Sequence, residues 1–347
     1  MKSLNLNLKN KIQNKYFVLS LLLFYSFFVF LNKEKLFQKF NPEVVNRYLK
    51  SQDILDTENK IKDRIFVSDE EIYIASGYLY ATGSSPTDYN FQHPPLVKYL
   101  FGFSSRYFDL PLLPNVLFAG LLLIEVFLLG RLVFKSEVIG LLSSVLLLFD
   151  PVFKEVTTYA LLDLGQMVFV LGFIISTLFK PKNFIMSGIL LGLAMASKFY
   201  SPVIIFLVII YLYKFLRRQL AVGHELKVLA FAFLAFSICY AKAFPFNVFF
   251  HQVKIIKFML DHNQAVQWGG VIPMFSGGYI LWPILFFANL FAILNTKFQD
   301  LRFVFFLIPI LYTLVLCFQI PFTRYFILIL PFLYLSLSKL ICEKLLH

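Results

Sequence analysis

An acidic cluster and a basic, proline-rich segment lie near each other in this sequence and together could carry out proton transfer and anion binding. The acidic cluster runs from Asp69 to Tyr73, and the second segment is His93-Pro94-Pro95-Leu96 followed by Lys98. A carboxylate can take a proton from a hydroxyl group, while cationic groups can hold an anionic leaving group. Asp69 and Glu70 are therefore candidate bases, and His93 and Lys98 are candidate anion-binding residues.

A purely structural role explains the same residues. Acids in the first turn of a helix stabilise the helix dipole, and two prolines restrict the backbone at the start of a membrane segment. The spacing alone leaves both interpretations open.

The composition excludes an ordinary soluble protein. Apolar side chains make up 59% of the 347 residues and charged ones only 15%, against about 45–50% and 25% in soluble domains. The long apolar runs predict an all-α, polytopic membrane protein. The net charge of +12 comes from basic residues that punctuate apolar runs, so we read them as topology signals and expect no nucleic-acid partner.

The runs predict about ten transmembrane helices, several of them short for a hydrocarbon core of about 30 Å. The first, Tyr16 to Leu31, follows a lysine-rich start and is expected to remain as an anchor over residues 1–31. The others lie near 115–134, 138–149, 164–179, 184–197, 202–216, 227–243, 278–295, 303–318 and 325–341. The positive-inside rule then places both termini in the cytoplasm and most acids outside.

Residues 32–114 form the only long polar stretch and are expected to be the first extracytoplasmic loop, with residues 115–347 completing a single membrane domain. Asn41-Pro42-Glu43 predicts a helix to about Lys50. Ser68 with Glu71 forms a predicted capping box, and Gly83 is the expected stop. These amphipathic helices are expected along the membrane surface. The candidate acids are thus at a helix start.

The acidic cluster and the His-Pro-Pro-Leu-x-Lys string resemble the first outer loop of protein O-mannosyltransferases, which are GT-C glycosyltransferases using polyprenyl-phosphate sugars. Aminoarabinose transferases of lipid A are similar, with Lys-Pro-Pro-Leu and an Arg before the Tyr. Ile72 stands at that Arg position, which favours the mannosyltransferase branch.

Later strings follow the family's order over about residues 60 to 335. Phe149-Asp150-Pro151, the stretch from Tyr159 to Asp163, Ser197-Lys198-Phe199 and Thr323-Arg324-Tyr325 resemble family landmarks, as do His262, Ser276, Tyr279 and Trp282-Pro283. The resemblance implies Asp69 and Glu70 as catalytic residues and His93, Lys98 and Arg324 as donor-phosphate ligands. Tyr73, Asp163, Lys198 and His262 are further site candidates.

The resemblance implies transfer of a hexose, with mannose favoured, from a polyprenyl-phosphate donor to a protein, lipid or glycan hydroxyl on the extracytoplasmic face, with inversion. No cofactor is diagnosed, although some GT-C enzymes bind a divalent metal. An aminoarabinose-type transferase and a transporter of lipid-linked sugar remain alternatives. Lys198 and Arg324 could instead anchor at lipid headgroups, and Glu125, inside an apolar run, must be neutral, paired or facing a cavity.

Overall fold

The computed structural model describes residues 2–54, 64–243, 247–264, 281–318 and 322–345. Within these ranges the chain is helical, and the extended pairing it contains is an isolated bridge between Ser51 and Ile65. The outer segment, residues 32–114, carries α2 (Lys33–Leu36), α3 (Glu43–Leu49), α4 (Asp69–Thr82) and α5 (Leu96–Phe108), after α1 (Lys2–Leu31).

The remaining helices form the apolar bundle. They are α6 (Leu113–Val133), α7 (Glu137–Leu148), α8 (Pro151–Thr158), α9 (Asp163–Phe179), α10 (Phe184–Ser197), α11 (Ser201–Leu216), α12 (Val222–Cys239), α13 (Asn247–Gln264), α14 (Leu281–Leu294), α15 (Leu301–Leu316) and α16 (Leu330–Leu345). Short 3₁₀ segments occupy Ala241–Ala243 and Thr323–Leu328. This is the all-α architecture that the apolar runs predict.

Two described helices, Leu113–Val133 and Val222–Cys239, are long and apolar enough to cross a membrane. The α8–α9 pair adds a third only if the two helices, which meet at 110°, count as one span. Six further apolar helical stretches have 10–17 residues, among them Tyr16–Leu31, the apolar part of α1. The helices are those of a polytopic membrane protein, and the number of about ten spans stays a prediction.

Helix α4 begins and ends as its sequence predicts. The Ser68 hydroxyl accepts a hydrogen bond from the Glu71 amide at 3.3 Å, and the Glu71 carboxylate accepts one from the Ser68 amide at 3.0 Å. This reciprocal pair satisfies two amides that the helix itself leaves without partners. Gly83, at φ 128°, ends the helix. Asp69 is consequently held at the first residue of α4.

Helices α4 and α5 touch backbone to backbone. A Cβ on Gly77 would overlap the backbone oxygen of Lys98, and a Cβ on Gly102 would overlap the backbone oxygen of Gly77. Only glycine permits this approach, because backbone atoms cannot rotate away as a side chain can. The contact joins the helix that begins at Asp69 to the helix that follows His93.

Asn115 fixes the bend between α8 and α9 from the start of α6. Its fully buried amide donates to the backbone oxygens of Val156 at 3.3 Å, Thr157 at 3.1 Å and Tyr159 at 2.7 Å. These bonds satisfy carbonyl groups at the end of α8 that a helix leaves without partners. The bend in turn places Asp163 at the first residue of α9.

Asp150 connects three further elements. It caps α8 through the Val152 amide at 2.7 Å and accepts hydrogen bonds from Trp282 Nε1 at 3.2 Å and Tyr334 Oη at 2.7 Å. A buried carboxylate needs several donors of this kind. The Phe149-Asp150-Pro151 and Trp282-Pro283 strings therefore meet in space and support the bundle.

We predict that Gly77→Ala lowers the stability of the folded protein by about 1–3 kcal/mol, the usual range for overpacking a tight contact. Thermal unfolding of the purified chain in detergent, followed by the fluorescence of buried Trp282, measures the change. Gly223→Ala is the matched control, since a Cβ there meets nothing within 4 Å. Equal melting temperatures for the two variants would contradict the backbone contact.

Candidate active site

A cavity of about 430 Å³ lies where the outer segment meets the bundle. The outer segment contributes one wall, and α9, the α10–α11 connection, α13, α15 and the segment around Thr323–Leu328 contribute the others. The cavity is lined by Gln52, Asp53, Asp69, Tyr73, Gln92, His93, Asp163, Gln166, Lys198, Phe199, Ser201, Pro202, Phe258, Tyr312, Val315, Phe322, Arg324, Tyr325 and Leu328. Six of the nine site residues predicted from the sequence are among them.

A chain of alternating charges crosses this cavity. The Arg324 guanidinium lies 2.5 Å from Asp69 Oδ2, and its Nε lies 3.9 Å from Asp163 Oδ2. Lys198 completes the chain by an ion pair with Asp163 Oδ1. The Asp163 side chain is 2% exposed and that of Asp69 39%. Asp163 is thus the buried acid, held between Arg324 and Lys198, and Asp69 is the accessible acid at one end of the chain.

Arg324 remains cationic in this setting. Burial acts to lower its pKa, but Asp163, Tyr73 and Asp69 act in the opposite direction and the net pKa is raised. For Lys198 burial is the larger influence and lowers the pKa, against the opposing effect of Asp163. Arg324 is therefore the permanent positive charge of the cavity.

Asp69 and His93 both line this cavity, so the two motifs meet in space. Tyr73, one helical turn after Asp69, lies between them. Its ring meets the His93 ring edge-on, at 5.7 Å between centroids. Aromatic pairs favour this geometry, so it holds the imidazole at the cavity wall.

Lys98 does not line the cavity. It is fully buried, and its Nζ donates to the backbone oxygens of Asn90 at 2.6 Å and His93 at 2.7 Å, to Asn90 Oδ1 at 3.1 Å and to Tyr80 Oη at 3.2 Å. Burial lowers the pKa of Lys98 to about 7. The structure thus supports a role for Lys98 in holding the turn that carries His93.

Glu70 lies apart from Asp69. One of its carboxylate oxygens pairs with Lys35 Nζ at 3.2 Å, and the other accepts from the Ala160 amide at 3.4 Å. These contacts link α4 to the turn before Asp163. Glu70 is placed to position the two aspartates relative to each other, while only Asp69 lines the cavity.

The other predicted positions contribute less. The backbone of His262 belongs to α13, but its side chain lies outside the described part of the structure, as do Trp268, Ser276 and Tyr279. Glu125 Oε2 is buried and, among the described residues, has no hydrogen-bond partner. An isolated buried carboxyl of this kind is expected to be neutral.

Several polar residues of the cavity were not predicted from the sequence, among them Asp53, Gln92 and Gln166. Asp53 accepts hydrogen bonds from Tyr48 at 2.9 Å, Asn90 at 3.1 Å and Gln92 at 2.5 Å, and so organises the loop before His93. Gln166 did leave a signal, since it is an amide three residues after Asp163 on an otherwise apolar helix and therefore shares its face. Asp53 left none.

Two of the three aspartates that line the cavity pair with cations, and the third, Asp53, accepts hydrogen bonds from neutral side chains. In the described residues no group of three or more His, Cys, Asp or Glu is placed to hold a metal ion. Asp69 faces Arg324, and Asp163 faces both Arg324 and Lys198. These charges would repel a divalent cation, so the arrangement does not fit a metal and we derive no step through one.

Two comparisons with known proteins bear on this site. The family model described as dolichyl-phosphate-mannose-protein mannosyltransferase matches residues 92–241, a range that holds His93, Asp163 and Lys198. The crystal structure of ArnT from Cupriavidus metallidurans, bound to undecaprenyl phosphate, is similar with a TM-score of 0.58 and 17% identity. The match covers 90% of this chain and 59% of the ArnT chain. No curated protein matches in sequence.

The chain therefore shares the fold of ArnT over 90% of its length, and its residues 92–241 match the mannosyltransferase family model. This confirms the resemblance found in the sequence. The ArnT likeness concerns the fold, because the identity is low and the present chain spans about three fifths of ArnT.

We predict that the folded protein becomes more stable as the pH rises from about 7 to 9.5. The unfolded chain keeps the Lys98 proton up to its ordinary pKa of about 10.5, whereas the folded chain loses it above about 7. Because the unfolded state binds more protons in this interval, stability rises with pH. Melting temperatures in detergent, measured across the interval, test this.

The variant Lys98→Met should lose that rise, since methionine does not titrate. Lys154→Met, at an exposed position of α8, is the matched control and should keep it. An identical pH slope in wild type and Lys98→Met would show that another group is responsible.

Proposed function

We propose that the chain transfers a hexose, mannose in the first instance, from a polyprenyl-phosphate donor to a hydroxyl acceptor. The observation that carries this proposal is the accessible Asp69 beside the permanently charged Arg324 in one cavity. A carboxylate next to an anion-binding cation is the minimum needed for direct displacement of a phosphate leaving group. The GT-C fold and the family match support the donor class.

In this reaction the acceptor oxygen attacks the anomeric carbon as the bond from that carbon to the phosphate oxygen breaks. The electron pair of the broken bond leaves with the polyprenyl phosphate, held by Arg324 and Lys198, and the hydroxyl proton passes to Asp69. A single displacement inverts the anomeric centre. It forms no covalent sugar adduct with the protein.

The Asp69–Arg324 ion pair must loosen before Asp69 can act. While the guanidinium engages Asp69 Oδ2, that oxygen is not free to accept a proton from the acceptor hydroxyl. The donor phosphate offers Arg324 a competing bidentate acceptor. Donor binding would thus free Asp69 for the acceptor proton.

We place the cavity on the extracytoplasmic face, with both termini in the cytoplasm. The cavity lies at the start of α9 and α11, while the opposite ends of these helices lead into basic turns, at Lys180 and Lys182 after α9 and at Arg217 and Arg218 after α11. Basic turns favour the cytoplasmic side. A lipid donor and surrounding membrane lipids fit this setting.

Replacement of Asp69 by Asn is predicted to lower sugar transfer by at least about 100-fold, the usual contribution of a general base. The assay follows label from radioactive polyprenyl-phosphate mannose into a Ser/Thr peptide, a lipid and a glycan acceptor, using the purified full chain. Asp88→Asn, an exposed acid of the same outer segment, is the matched control and should retain activity.

Unchanged transfer by Asp69→Asn would remove this residue as the base. If the wild type moves label across proteoliposomes and forms no glycosidic product, the chain is a transporter. If only a polyprenyl-phosphate aminoarabinose donor reacts, the hexose part of the proposal is wrong.

A second expected result concerns Arg324. Arg324→Gln should weaken the binding of polyprenyl phosphate at least tenfold, because it removes the permanent cation from the phosphate position. The control Arg302→Gln removes another ion-paired arginine, which pairs with Asp300 outside the cavity. Equilibrium binding of radioactive polyprenyl phosphate to both variants measures the difference, and equal affinities would rule out Arg324 as the phosphate ligand.

A further inference from the structure

Three glutamine side chains line the cavity in addition to its charged groups. Both ends of the Gln52 amide are bonded to the Val67 backbone, at 3.0 and 3.1 Å, so the amides of Gln92 and Gln166 are the ones that can meet a ligand. Gln92 belongs to the loop before His93, and Gln166 belongs to α9. An amide presents either a donor or an acceptor to a ligand, and its other contacts decide which.

The nitrogen of Gln166 is held by the protein. The fully buried side chain donates from Nε2 to the backbone oxygen of Phe199 at 3.1 Å, and the carbonyl oxygens of Ala194 and Lys198 lie at 3.5 Å. Carbonyl oxygens only accept, so this end of the amide must be the nitrogen. Gln166 Oε1 is buried and lacks a hydrogen-bond partner among the described residues.

The nitrogen of Gln92 is held in the same way. Its Nε2 donates to Asp53 Oδ1 at 2.5 Å, and Asp53 is itself fixed by Tyr48 at 2.9 Å. A carboxylate accepts, so the amide orientation is again determined. Within the described ranges no hydrogen bond is donated to the Gln92 oxygen.

Both amides therefore offer acceptor oxygens to whatever occupies the cavity. A buried acceptor without a partner, such as Gln166 Oε1, destabilises the protein, and a hydrogen bond from a ligand donor would remove that cost. A phosphate diester has no donor and belongs with Arg324 and Lys198. A sugar ring carries several hydroxyl donors, and so fits the amides.

We propose that Gln92 and Gln166 form a subsite that accepts hydrogen bonds from hydroxyl groups of the donor's sugar. This assignment rests on the proposed function and deepens it. The lipid phosphate is held by cations, and the sugar is selected by two acceptors. A site built to bond a hydroxyl discriminates strongly against an analogue that lacks it, because the acceptor is then left without a partner.

The test compares two ligands on the purified full chain: polyprenyl-phosphate mannose, and polyprenyl phosphate without sugar. Gln92→Met and Gln166→Met each remove the acceptor with little change in side-chain length. Each variant should bind the sugar-bearing lipid about five- to tenfold more weakly, the usual effect of one hydrogen bond. Binding of polyprenyl phosphate should change less than twofold. Gln219→Met, at an exposed turn, is the control and should change neither.

Monodeoxy-mannose donors give the decisive comparison. Wild type should lose about five- to tenfold in affinity when the contacted hydroxyl is missing, and the variant that lacks the matching amide should lose nothing further. If, for every deoxy donor, the loss of affinity caused by the missing hydroxyl simply adds to the loss caused by the glutamine substitution, the subsite proposal is wrong. Equal weakening of both lipids would also overturn it, since this would mean that the glutamines only support Lys198 and the loop.

These outcomes are separate from those of the proposed function. Binding requires no transfer, so a wild type that distinguishes the two lipids but transfers nothing retains the subsite and loses the transferase proposal. A wild type that binds the two lipids equally refutes the subsite even if transfer occurs. A change confined to acceptor affinity would assign the glutamines to the acceptor and overturn the proposal.

Discussion

The site depends on one interaction, the placement of the Arg324 guanidinium between the carboxylates of Asp69 and Asp163. A charge in a largely apolar protein is stable only if it is paired. Here the pairing draws together the start of α4, the start of α9 and the Thr323–Leu328 segment. Since these elements come from distant parts of the chain, the ion pairs fix both the electrostatics of the cavity and its shape.

Several hydrogen bonds to backbone groups prepare the positions that the ion pairs use. Asn115 sets the bend that leads to Asp163, the Ser68–Glu71 capping box sets the start of α4, and the Lys98 ammonium group gathers backbone oxygens of the loop before His93. Each contact satisfies backbone groups that would otherwise lack partners. The reacting groups are thus held by secondary structure and by bonds to backbone, which suits preorganisation.

Local signals made much of this fold predictable. The apolar runs gave α6, α9, α10 and α11 nearly to the residue, and Ser68, Glu71 and Gly83 gave the limits of α4, because caps and hydrophobic runs act within a few residues. Helices α5, α8 and α13 were not predicted, since they lie in or beside the polar loops.

Side-chain roles were less predictable because they depend on tertiary contacts. Lys98 was expected at the phosphate, yet its ammonium group is enclosed by the loop that it supports. Glu70 neighbours Asp69 in sequence but, on a helix, points away from it. The roles of Asp53 and Gln92 arise only when residues far apart in the chain meet, and composition and spacing carry no trace of that.

The glycine contact between α4 and α5 also bears on how a bulky lipid could enter and leave the cavity. Because Gly77 contacts Gly102 directly, no side chains separate the two helices, and they cannot slide past each other. The helix that begins at Asp69 and the helix that follows His93 therefore form one rigid wall of the cavity. Any opening of the cavity would then involve the opposite wall, where Arg324 is paired with Asp69 and Asp163 and a phosphate can compete for it. A phosphate that binds Arg324 would therefore also weaken the ion pairs that hold the cavity closed.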